Sequence, residues 1–169
     1  MTRVAFLDLS SGGASNGKSI ADGLAASLKP YRIGLEHHAL EVPVKTTGSL
    51  PALTFQAGVV ILHHPIPDQS GDVGLASGFP GSAVLHLRHT RQRHRIGHRD
   101  GLAISDSSQE SHLAMGTLWL SPCPGAAELA LLLPLVRQAA DWHTRDRRRR
   151  ESLALAEIYA QAPLFAMAF

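Results

Sequence analysis

Two groups of residues carry the types and spacings from which chemistry is built. The first is contiguous: Gly12-Gly13-Ala14-Ser15-Asn16-Gly17-Lys18-Ser19, a glycine-rich run closing on a lysine and a hydroxyl. Glycines let backbone N–H groups approach an anion closely, a lysine neutralises phosphate charge, and a hydroxyl supports Mg²⁺. The second group is dispersed. It comprises Asp8, the pair His63-His64, Pro67, Gly71 and Ser121, each placed at or just after an apolar run that reads as a strand.

The elements that must position these residues follow from hydrophobic patterning. Arg3 to Leu9 reads as a buried strand, and Lys18 to Leu28 as a helix with Ile20, Leu24 and Leu28 at helical spacing, stopped by Pro30. Tyr31 to Leu40 is a second strand, and Pro43 to Leu53 is turn-rich. Ala57 to Leu62, with Val59, Val60 and Ile61, is the clearest buried strand; Ser82 to Leu87 is another. Gly101 to Ser105 is a possible extra strand and Thr117 to Leu120 the last one. A helix then begins near Ala126, and Pro134 should kink it or mark a second start. Strands alternating with helices indicate an α/β class, a doubly wound, mostly parallel five-stranded sheet with an extended C-terminal helix.

At 169 residues the chain fits one domain and an appendage. The single Cys123 cannot form an internal disulfide and suits a reducing compartment. No apolar run reaches the roughly 18 residues of a membrane span, so a cytoplasmic protein with no membrane partner is expected. Net charge is only +2, but the positive residues cluster. Arg88, Arg91, Arg93, Arg95 and Arg99 interleave with His89, His94 and His98, and a second cluster is Arg145 with Arg147 to Arg150. Both read first as solvated surface; without a recognition helix or aromatic interleaving, nucleic acid is not the expected partner.

The residues Gly12, Gly17, Lys18 and Ser19 satisfy the Walker A pattern, with a strand before and a helix after. On that reading the chain is a P-loop ATP- or GTP-binding protein, an NTPase or small kinase working with Mg²⁺. The supporting machinery is incomplete: the best central strand ends in His63 rather than in a metal-supporting Asp. A glycine- and serine-rich loop is also an ordinary way to connect a strand to a helix.

The dispersed set resembles the receiver domain of the response-regulator family. In that family a phospho-accepting Asp ends the third strand, with Pro four and Gly eight residues on. Here Pro67 and Gly71 keep the spacing and His63 holds the place of the Asp. Asp8 falls where receivers keep an acidic pair for Mg²⁺, broken here by Leu9, and Ser121-Pro122 stands for the Lys-Pro segment. The resemblance covers residues 3 to 140 and implies a flavodoxin-like fold. The missing nucleophile and Lys imply a pseudo-receiver with no catalytic residue and no cofactor. His63 and His64, adjacent on a strand, should point to opposite faces, one of them a buried histidine with a backbone partner.

The divisions are then 1–138 for the receiver-like domain, 139–160 for a basic linker and dimerisation helix, and 161–169 for an apolar tail. That tail, with Ala162-Pro163, resembles the opening of a PAS sensor domain, where a helix turns at an Ala-Pro. The resemblance implies a homodimer joined through the C-terminal helix and a downstream sensor or output domain as partner.

Overall fold

Runs such as Val59-Val60-Ile61-Leu62 have only one comfortable environment, a strand covered on both faces, because no alternation of polar residues offers a wet side. The computed structural model describes residues 2–10, 16–41, 57–68, 79, 81–105 and 113–166. Its strands are β1 (Arg3–Ser10), β2 (Gly34–Glu41), β3 (Val59–His64), β4 (Ala83–His89), β5 (Arg99–Ser105) and β6 (Leu113–Leu120). Its helices are α1 (Gly17–Leu28), α2 (Ala126–Ala130) and α3 (Leu132–Ala166).

The six strands form one sheet in the order β2-β1-β3-β4-β6-β5. All neighbours are parallel except β5, which runs antiparallel to β6. The sheet therefore has six strands, not five. Its five parallel strands are those expected, and Arg99–Ser105 adds an outer edge whose exposed Arg99 and Asp100 suit a strand paired on one side only. The chain leaves β1 for β2 on one side and enters β3 on the other, so β1 and β3 flank a switch point.

Each face has its own core. Val4 and Phe6, Val59 and Ile61, Ala83, Leu85 and Leu87, and Leu118 and Leu120 pack under both long helices. Helix α1 contributes Ile20, Ala21, Leu24 and Leu28; α3 contributes Leu132, Leu135, Val136, Ala139, Ala140 and Trp142. The opposite face buries Ala5, Leu7, Val60, Leu62 and Val84 with Ala57 and Phe79. The described helices all lie on the first face; Pro43 to Leu53 and Gly71 lie outside the described residues.

Pro134 marks a second start. Helix α2 ends at Ala130, and Pro134 falls in the first turn of α3, where its missing N–H has no intrahelical partner to lose. Helix α3 then runs 35 residues, about 50 Å. It stays packed past residue 138: Ala139, Ala140, Trp142 and Asp146 are all buried. His143 Nδ1 lies 3.0 Å from the Gly81 carbonyl, and Arg150 bridges Asp146 at 2.8 Å and reaches the same carbonyl. From Arg147 to Ala160 every residue is exposed. The expected turn at Ala162-Pro163 does not occur, since α3 continues to Ala166. Among the described residues no helix is long and apolar enough to cross a membrane.

Candidate functional site

Parallel strands deliver their C-terminal residues to one edge, and three strand ends on the helix-covered face are polar here. Asp8 follows Val4 and Phe6 on β1, His63 follows Val59 and Ile61 on β3, and His89 follows Leu85 and Leu87 on β4. The register places Asp8 directly beside His63. The period of two that buries the apolar residues under α1 and α3 therefore also buries these three, to 3 %, 0 % and 2 % exposure.

They form one line. Asp8 Oδ1 lies 2.8 Å from His63 Nδ1, His63 Nε2 lies 2.8 Å from His89 Nε2, and His89 Nδ1 lies 2.6 Å from the Ser121 carbonyl. Ser121 closes the line onto α2: its backbone N–H and its hydroxyl each donate to a different carboxylate oxygen of Glu128, at 2.7 and 2.8 Å. Glu128 sits in the first turn of α2, where the helix end favours negative charge. Burial pushes the His89 imidazole below its ordinary value, while its bond to the Ser121 carbonyl and the Glu128 and Asp8 carboxylates work the other way.

Helix α1 closes the other flank. Gly17, its first residue, is buried against Asp8, and a Cβ there would collide with the carboxylate. The glycine is thus required by packing. Lys18 and Ser19 are exposed, and Gly12 lies outside the described residues. An anion already stands at the start of this helix: the protein's own Asp8.

A second pair occupies the opposite face. His64 Nε2 lies 3.1 Å from His86 Nδ1, with the rings stacked and both residues about 5 % exposed. Burial first, then the Arg88 charge, pushes His64 down to about 3 and His86 down to about 4. Arg88 itself lies over the Trp119 ring, as does Arg95.

The sequence reading placed Asp8, His63 and Ser121 in one pocket, and the structure brings them together. Pro67 is partly buried in the turn after β3, and Gly71 lies outside the described residues. The adjacent Asp68, at φ 57°, accepts from the Thr90 hydroxyl and the Arg91 N–H, which hold its carboxyl below the usual range. The expectation for the histidines needs correction. Both His63 and His64 are buried, each with a histidine of β4 as partner, and the backbone partner belongs to His89. The sequence reading missed His89 and Glu128. With the strand ending at Leu87, as its apolar run suggests, His89 falls among the exposed arginines; the alternation Leu85, Leu87, His89 is the available signal. The segment read as solvated is divided, with His89 and Thr90 buried and Arg91 to Arg95 exposed.

Among the described residues no group of three or more His, Cys, Asp or Glu side chains is arranged to hold a metal ion. The His63 and His89 nitrogens are also closer than the roughly 3.3 Å separating two nitrogens on a tetrahedral Zn²⁺. A cleft of about 390 Å³ lies elsewhere, at the opposite edge of the sheet, between Tyr31, Arg32, Arg137 and Asp141. No family model matches the chain, and no curated protein and no solved structure matches it either, so the site is read from its own chemistry.

Proposed function

We propose that the chain is a non-catalytic signal-transduction module, a receiver-like domain without the phospho-acceptor carboxylate and the lysine, acting through pairing of two copies along α3. The observation that carries this reading is the double nature of α3. Its first half is a core helix of the sheet, and its second half, from Arg147, leaves the domain as an exposed rod with Leu153, Leu155, Ile158 and Tyr159 uncovered. Leu155, Ile158 and Tyr159 fall at i, i+3 and i+4, one face of the rod. An isolated helix of that length is marginal in water, and a partner helix would supply what it lacks.

The strand order supports the finer reading. The parallel strands β2-β1-β3-β4-β6 follow the flavodoxin-like order, in which function gathers at the β1/β3 switch point. At that point stands His63, fully buried and bonded at both ring nitrogens, in the place where a receiver keeps its phospho-acceptor carboxylate. The P-loop reading has less behind it, because the described part of the motif gives Gly17 a packing role against Asp8 and leaves Lys18 and Ser19 exposed. No cofactor is part of the proposal; a sensor or output domain is the partner class it implies.

Sedimentation velocity across a concentration range tests the pairing. The full chain should dimerise, and a chain ending after Arg150, which keeps the Asp146 and Gly81 contacts, should be monomeric. A full chain that stays monomeric at every concentration would overturn the proposal. So would tight binding of a fluorescent ATP or GTP analogue with Mg²⁺ that Lys18→Ala abolishes. Incubation with a small-molecule phosphodonor and Mg²⁺ should add no mass.

A further inference from the structure

Three hydrogen bonds in the Asp8–His63–His89 line need three protons, and the usual states of the groups supply two. The Ser121 carbonyl only accepts, so His89 Nδ1 carries a proton. Ionised Asp8 only accepts, so His63 Nδ1 carries another. With both rings neutral, the two Nε2 atoms would then face each other as bare lone pairs, buried and 2.8 Å apart. That arrangement is repulsive and unsolvated.

We propose that the line is a proton-binding site: His63 is an imidazolium, donating from Nδ1 to Asp8 and from Nε2 to neutral His89. The line is then electrically neutral, every ring nitrogen is satisfied, and the stored proton ties the ends of β1, β3, β4 and β6 together. Among the described residues the groups facing it are Asp8 on β1, His89 on β4, and Glu128 on α2 through Ser121, with the Gly17 backbone of α1 against Asp8. A cation larger than a proton does not fit between the rings at this separation. The inference concerns the folded domain alone and stands whether or not α3 pairs.

The linkage has a definite sign. Above the ordinary histidine value of about 6.5 the unfolded chain has released both histidine protons, while the folded chain keeps one. The folded state binds more protons, so rising pH disfavours it, by about tenfold in the folding constant for each pH unit. Asp8→Asn isolates the cause, because its amide N–H would donate to His63 Nδ1 and provide the third proton covalently.

The experiment is urea unfolding of the full chain and of Asp8→Asn between pH 7 and 9, with ¹⁵N NMR of the histidine rings at pH 7.5. The wild-type chain should lose about tenfold in folding constant per pH unit more than the Asn variant does, and His63 should show both ring nitrogens protonated. Equal slopes, or His63 with one bare nitrogen, would overturn the proposal. Zinc or copper found equimolar with the purified protein would overturn it too. Should the variant fail to fold, the ring spectrum of the wild-type chain decides alone.

Discussion

His63 and His64 are neighbours in the chain, yet they belong to two different kinds of interior. Each points to its own face of β3 and meets a histidine of β4, His89 or His86. On the helix-covered face the pair is bracketed by acceptors, the Asp8 carboxylate and the Ser121 carbonyl. On the other face no carboxylate among the described residues shifts the pair, and the nearby charge is the Arg88 guanidinium, itself disfavoured by burial. One hydrogen bond between two neutral rings needs one proton, which either ring supplies. The same residue type, buried to the same degree, is therefore set up to be charged on one face and neutral on the other. Surroundings decide the charge; burial alone does not.

The largest effect expected of that difference comes from removing its source. Asp8→Ala would leave His63 without its counter-charge and should cost about 3–5 kcal/mol in urea unfolding at pH 7. His86→Ala, on the neutral side, should cost only about 1–3 kcal/mol, since it unpairs one uncharged nitrogen. Equal losses at the two positions would break the comparison.

Acid should expose the neutral pair. Unfolded histidines take up protons near pH 6.5, whereas folded His64 and His86 resist until about 3 and about 4. Between pH 6.5 and about 4 the unfolded state binds more protons, so stability falls as pH falls, by up to about 1.4 kcal/mol per pH unit for each histidine. Denaturation curves taken at half-unit steps should show that slope, and a His64→Leu/His86→Leu double variant should flatten it. A double variant as steep as the wild-type chain would place the acid sensitivity elsewhere. Taken with the proton stored on the other face, stability should peak near neutrality.

A smaller change sharpens the boundary of the charged side. Glu128→Gln keeps an acceptor for Ser121 but removes the carboxylate, and should cost about 1 kcal/mol without altering the acid slope. Thermal unfolding at pH 7, repeated at pH 5, would separate these two statements.

Much of this could be read along the chain. The apolar runs located the five parallel strands, and Ile20, Leu24 and Leu28 located α1 with its buried face. Asp8 and His63 were legible as strand-end residues because each closes an apolar run. The pairing of His63 with His89, 26 residues away, was not, since it depends on β4 lying beside β3 and on a strand end two residues later than its apolar stretch suggests. Gly17 shows a related limit. Its place before Lys18 and Ser19 matched a phosphate loop, while the contact that requires a glycine is with a side chain on β1.

By itself, then, the sequence determined the class of the fold, the order of its strands in the chain and the opposite orientation of His63 and His64. Those depend on local hydrophobic period and backbone geometry, which each segment carries within itself. Only the tertiary structure decided which residues the two histidines meet, that α3 stays packed as far as Asp146, and that the extra strand Arg99–Ser105 pairs antiparallel with β6 at the edge. Each of these is a matter of which distant groups share a buried space. There, one carboxylate or one carbonyl more is enough to turn a neutral histidine pair into a site for a proton.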